Sequence, residues 1–255
     1  MLSKNKIKQI QALSRKKKRD ETGLYIAEGQ RLIDQLIAYN CNIDTIIASP
    51  ALINKYAGKA LEVIEADADQ LKKISQFKTP SDVIAICRQA TLNLNDTDQN
   101  NNLVLALDDV QDPGNLGTII RLASWFGINH IVCSINTVDC YNSKVVQSTM
   151  GAIAKVAVHY TNLAYFLENV DPGKTIIYGT FLEGSNIYET ELTQNGIIVL
   201  GNEGNGISNT IARLVKQKLL IPAFNNNQTH VESLNVSMAA GIVCSEFRRR
   251  KVATF

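Results

Sequence analysis

The chain has 255 residues, 45% of them apolar and 20% charged, and a formal net charge of +2. This is enough apolar matter for a sizeable core in one or two domains, and it excludes a disordered chain. No run of about 18 apolar residues occurs and the basic N-terminus lacks an apolar signal segment, so a soluble, cytoplasmic protein is expected.

The first part, residues 1–90, mixes helix and strand. "IKQIQALSRKKKR" reads as one basic helix with Ile7, Ile10 and Leu13 on one side. "GLYIAEGQRLIDQLIA" reads as a strand followed by a helix from about Gly29, and "IDTIIAS" and "DVIAICR" read as strands with helices between them. The polar stretch "TLNLNDTDQNNN", residues 91–102, reads as a linker. Beyond it, in residues 103–255, the apolar segments "LVLALDD", "HIVCS", "TIIYGT", "GIIVLG" and "KLLIPA" alternate with helical patterns. Continuous apolar strands separated by helices predict an α/β domain whose parallel sheet is covered on both faces. The N-terminal part then forms a smaller α/β domain.

Charge is uneven along the chain. Met1 to Arg31 carries nine Lys/Arg against three Asp/Glu, including the consecutive run Arg15, Lys16, Lys17, Lys18 and Arg19. A second basic cluster, Arg248 to Lys251, lies near the end. Such clusters suit phosphate contacts, and equally a solvated charged face. Cys41, Cys87, Cys133, Cys140 and Cys244 contain no CxxC pair, and His130, His159 and His230 have no ligand spacing. Disulfides and a metal site are therefore not expected.

An open α/β sheet binds ligands beyond the carboxyl ends of its strands. Three such ends are unusual here. "LALDDVQDPGNLGTIIRLASWFG" turns at Asp112-Pro113-Gly114-Asn115 into a helix with Arg121, its one charged residue, expected in the second turn. "IIVLGNEGNGIS" follows a strand with Gly201, Gly204 and Gly206, matching neither the phosphate-loop nor the dinucleotide glycine pattern. In "LLIPAFNNNQTHVESLNVSMAAGIVCSEF", Ser233 and Asn235 precede a helix rich in small residues, and either could cap it.

These corners, in this order, resemble the three motifs of the SpoU family of RNA ribose methyltransferases, within the SPOUT superfamily. "STMGAIAKV" is similar to the family's small-residue segment between the first two motifs, and the resemblance spans roughly Leu103 to Phe247. The N-terminal part, most of all "ALSRKKKRDETGLYIAEGQRLIDQL", is similar to the ribosomal-protein-like substrate-binding domain of many members.

The resemblance implies a C-terminal SPOUT domain tied into a deep trefoil knot, a homodimer formed through it, and methyl transfer from S-adenosylmethionine to an RNA ribose 2′-hydroxyl. Ribosomal RNA is favoured over transfer RNA as substrate. Carried onto this chain, the cofactor-binding positions are Leu200, Gly201, Ile221 and Leu234. Arg121 is the central catalytic residue, as general base or as a fixed cation; a guanidinium stays protonated in proteins, which favours the cation. Asn115 and Asn235 are expected to bind the ribose or orient Arg121, Ser233 to position the nucleophile, and Glu203 to anchor Arg121 or its own loop. Arg15 to Arg19 would grip RNA. The segment from Ala223 to His230 is longer than in many members and brings His230 near the site. Trp125 is read as core or interface. A non-catalytic RNA-binding protein on the same scaffold is the competing reading, and the presence of Asn115, Arg121, Glu203, Ser233 and Asn235 weighs against it.

Overall fold

The computed structural model describes residues 2–224 and 233–249. Ser3 accepts the Lys6 N–H at 3.2 Å and opens helix α1, Lys4–Ala12. The single basic helix expected here is broken in two. Ser14 turns its hydroxyl onto the Gln11 carbonyl at 2.8 Å, a local bond that competes with helix propagation, and the chain restarts as α2, Lys16–Thr22. Gly23 ends α2 at φ 65°, a left-handed cap suited to glycine, and leads into strand β1, Leu24–Glu28.

Helix α3 spans Gln30–Ala38, and strand β2 spans Ile43–Ala48. Strand β3, Glu62–Glu65, was not legible in the sequence: it is a short edge strand, exposed at both ends and half-buried at Val63 and Ile64. Helix α4, Ala68–Ile74, opens with a capping box between Asp67 and Gln70, and β4 spans Val83–Arg88. The four strands form a mixed sheet in the order β1-β4-β2-β3. Ile10 and Leu13 of the basic segment join Ile26, Ile47, Ile74 and Ile84 in its core, as their spacing predicted.

Residues 92–102 are less detached than a linker, since a short turn at Leu94–Asp96 packs Leu94 against the core of the following unit. Then come β5, Leu103–Leu107; α5, Pro113–Trp125; and β6, His130–Ser134. The chain divides into two compact units, one of Met1–Thr91 with Asp139–Lys155, the other of Leu92–Val138 with Val156–Phe255. Asp139–Lys155, which the sequence pattern places within 103–255, thus groups with the N-terminal residues. It carries α6, Ser143–Thr149. Gly151 in this segment has φ 93°, and a Cβ there would lie 2.8 Å from Gln35 Cβ, which is why the small-residue stretch needs glycine at that point.

The second unit continues with β7, Ala157–Thr161; α7, Leu163–Glu168; β8, Ile177–Asn186; and β9, Gly196–Leu200. It ends with α8, Asn209–Ala212; β10, Gln217–Leu220; and α9, Val236–Arg249. Six strands pair in the order β10-β8-β9-β5-β6-β7, and every pair is parallel. Strands β5 and β9 are buried at every residue. Val104, Ala106, Val132, Ile197 and Val199 cover one face with Leu163, Leu167 and Ile211. Helices α5 and α9 pack together, with Leu122 against Gly241. Among the described residues no helix is long and apolar enough to cross a membrane, and no group of three or more His, Cys, Asp or Glu is placed to hold a metal ion.

Candidate active site

The chain runs from β5 out to β7, returns to β8, and inserts β9 between β8 and β5. The carboxyl ends of β5 and β9 are therefore neighbours where the strand order reverses, the place at which open α/β sheets take ligands. The corner after β5 is built by ordinary capping chemistry. The Asp112 carboxylate accepts the Asn115 N–H at 2.8 Å, so Asp112 is the N-cap and α5 begins at Pro113, which needs no N–H there. A Cβ on Gly114 would come within 3.0 Å of that capping carboxylate oxygen. With the helix starting at Pro113, Arg121 falls in its third turn, not its second.

Asn115 is buried and joins all three corners. Its Nδ2 donates to Glu203 Oε1 at 2.9 Å, and its Oδ1 accepts from Asn235 Nδ2 at 2.9 Å. The Asn235 Oδ1 in turn accepts the Ser237 N–H at 3.0 Å and the Ser237 hydroxyl at 2.7 Å, at the start of α9. Glu203 takes two further bonds from the first corner, from the Gln111 N–H at 3.2 Å and the Asp112 N–H at 3.0 Å. Partial burial pushes the Glu203 pKa up, but the bonds from Asn115, its own backbone N–H, Asp112 and Gln111 together hold it below the ordinary carboxylate value. Glu203 thus anchors the first corner and Asn115.

Arg121 stands apart. It is exposed, and among the described residues it makes no hydrogen bond or ion pair. It lies roughly 9 Å along the helix from Asn115 and about a third of a turn around it. The expected contacts of Asn115, Asn235 and Glu203 with Arg121 are therefore not made; those polar groups are spent on one another. Ser233 and Leu234 are exposed beside the network.

The expected cofactor positions lie at strand ends. Leu200 closes β9 and is fully buried, and Ile221, half-buried, follows β10. A Cβ on Gly201 would sit 2.2 Å from the Gly206 carbonyl carbon, so only glycine lets the loop fold back on itself there. Among the described residues the backbone groups of Gly201 and Ile221 make no hydrogen bond. Unpaired N–H and C=O groups beside apolar strand ends fit an adenosine-bearing ligand, which needs apolar walls and a few edge contacts.

The basic run is not uniform. Arg19 is 4% exposed; its Nε donates to Asp139 at 3.0 Å, its Nη2 pairs with the same carboxylate, and its Nη1 donates to the Leu13 and Ser14 carbonyls. It is a structural residue of the N-terminal unit, and the expectation that it faces RNA is corrected. Arg15, Lys16 and Lys17 are exposed, with Lys16 paired to Asp20 and Lys18 to Glu21. In the second basic cluster, Arg248 caps the end of α5 through the Phe126 and Gly127 carbonyls at 2.8 and 3.1 Å. Trp125 is 83% exposed and so not a core residue. His230 and most of the 223–230 segment lie outside the described residues.

A profile of the SpoU rRNA Methylase family matches residues 102–245, and one of the MRM3-like substrate binding domain matches residues 4–85. The 23S rRNA (guanosine-2′-O-)-methyltransferase RlmB of Neisseria meningitidis is 32% identical over 208 residues, 79% of this chain and 82% of the relative. The 23S rRNA (guanosine(2553)-2′-O)-methyltransferase RlmP of Bacillus subtilis is 26% identical over 245 residues, 95% of this chain and 96% of the relative. An S-adenosylmethionine-bound rRNA methyltransferase from Sinorhizobium meliloti superposes with a TM-score of 0.87 at 28% identity, covering 99% of this chain and 97% of that one. Fold and strand-end corners together define a SPOUT-type methyltransferase architecture. The chain belongs to the SpoU rRNA methylase family.

Proposed function

We propose that this chain transfers a methyl group from S-adenosylmethionine to a ribose 2′-hydroxyl of ribosomal RNA. The observation that carries the reading is the Glu203–Asn115–Asn235 bridge, which ties three strand-end corners, far apart in sequence, into one polar network. When bound, the sulfonium of the cofactor supplies an electrophilic methyl group. The chain's task is to align the hydroxyl with it and to manage the departing proton.

Leu200, Gly201, Ile221 and Leu234 hold the cofactor, the backbone groups of Gly201 and Ile221, unpaired among the described residues, reading the adenine edge. Arg121 and Ser233 touch the RNA. Arg121 acts as a fixed cation that grips phosphate and stabilises developing alkoxide, since a guanidinium in contact with solvent and phosphate keeps its proton. Ser233 orients the nucleophilic hydroxyl. Asn115, Asn235 and Glu203 position the corners and do not contact the ribose.

The exposed bases Arg15, Lys16 and Lys17, with Lys18, contact RNA phosphates. The homodimer belongs to the same proposal and is supported by the groove between α5 and α9, lined by Thr118, Leu122, Gly241 and Ile242, with Met238 on its rim and Trp125 exposed at the end of α5. So do the trefoil knot and a cytoplasmic location. Calorimetric binding of S-adenosylmethionine, followed by methyl transfer to unmodified ribosomal RNA, tests the reading. Absence of both favours the non-catalytic RNA-binding alternative, and transfer to tRNA alone moves the substrate class.

A further inference from the structure

Asp108 follows β5 with a carboxylate that no role above uses, although the residue is only 5% exposed. Its backbone N–H donates to the Leu200 carbonyl at 2.9 Å, and its Oδ2 accepts the Ser208 N–H at 2.7 Å. Leu200 and Ser208 are the two ends of the glycine-rich loop, residues 201–207. One residue therefore grips that loop at both ends, from the end of a strand that is buried throughout.

The interior of the loop is held differently. Asn202 Oδ1 accepts the Gly204 and Asn205 N–H groups, Asn202 and Gly206 exchange backbone bonds, and Asn202 Nδ2 donates to the Asp109 carbonyl at 2.7 Å. The Ser208 hydroxyl does not cap α8, so the bond from its N–H to Asp108 is what fixes the loop's exit. A bond to a buried carboxylate is stronger than a neutral one. Three glycines, Gly201, Gly204 and Gly206, would otherwise leave this loop many conformations to lose on binding.

We propose that Asp108 is a positioning residue: its carboxylate latches Ser208 and holds the loop in the shape that receives the methyl donor. The inference rests on the reading that Leu200 and Gly201 face S-adenosylmethionine. Asp108→Ala removes the latch. Asp108→Asn keeps an oxygen for the Ser208 N–H. Ser208→Pro removes the donor N–H at a residue whose φ of −61° suits proline, and sets the ring Cδ against the Asp108 carboxylate, so the latch cannot close.

The test measures S-adenosylmethionine affinity of the full chain by calorimetry and amide hydrogen exchange across residues 201–208. Asp108→Ala and Ser208→Pro are expected to lose about tenfold or more in affinity, the scale of one charged hydrogen bond. Asp108→Asn is expected to recover most of it, and loop amides in the Ala and Pro variants to exchange faster with the rest unchanged. Wild-type affinity in either variant overturns the latch. Should Asp108→Ala fail to fold, Ser208→Pro and Asp108→Asn carry the same decision. Should the wild type not bind S-adenosylmethionine, the functional reading fails by itself, and the exchange measurement still decides the latch: loop protection unchanged in Ser208→Pro overturns it.

Discussion

Asn235 donates its side-chain N–H to the Asn115 side-chain oxygen at 2.9 Å, across 120 residues of chain. Each amide is oriented by its other partner: Glu203 fixes the nitrogen of Asn115, and the start of α9 fixes the oxygen of Asn235. The pair should be energetically coupled. In a double-mutant cycle with Asn115→Ala and Asn235→Ala, denaturant unfolding should give an interaction energy of about 1 kcal/mol, within the range for residues that share a network. Strictly additive effects would show that the bridge carries no energy.

Glu203 gives a pH signature. Its carboxylate pKa is held below the ordinary value by its hydrogen bonds, against the opposing push of burial. A depressed folded pKa adds stability that is fully present above the unfolded value, about 4.3, and is lost as pH falls through the folded value. Wild type should therefore be more stable than Glu203→Gln near neutrality, with the gap closing in acid. A gap that widens on acidification would reverse the sign of the argument.

The basic run should split by burial. Arg19→Ala leaves Asp139 without its partner in a buried setting and should cost about 3 kcal/mol or more. Lys17→Ala, at an exposed position, should stay within about 0.5 kcal/mol. Replacing Arg15, Lys16 and Lys17 together should weaken RNA binding and flatten its salt dependence. Equal stability of the Arg19 and Lys17 variants would remove the ion pair from the account.

The strand-end corners were legible because each joins an apolar strand to turn-forming or capping residues, a local signal. Asp112-Pro113-Gly114-Asn115 is a cap and helix start in plain sequence. What escaped was non-local or masked by composition. Arg19 looks like its four basic neighbours, and the partner that buries it, Asp139, lies 120 residues away. Strand β7, "AVHYT", was missed because a buried histidine, His159, interrupts its apolar pattern; its ring meets that of His130 across the sheet at 3.2 Å. Strand β3 is too short and exposed to alternate clearly. Glu203 was expected to anchor Arg121 or its own loop, and its bonds tie that loop to Asn115 and the first corner; spacing places Arg121 on the same helix as Asn115, but not which of the two turns toward the loop.

Arg121 should separate chemistry from stability. It is exposed and makes no hydrogen bond or ion pair among the described residues, so Arg121→Ala should change unfolding free energy by less than about 0.5 kcal/mol. S-adenosylmethionine affinity should be unaffected, and methyl transfer should fall below detection. Lys at this position keeps the charge without the planar fork, and partial activity there would favour the fixed-cation role.

The most direct measurement is transfer of isotopically labelled methyl from S-adenosylmethionine to unmodified ribosomal RNA and to transfer RNA, read by nucleoside mass spectrometry. The account predicts label in a single 2′-O-methylnucleoside from the ribosomal pool, absent with the Arg121→Ala variant. Label on a base, or undiminished transfer by that variant, would contradict it.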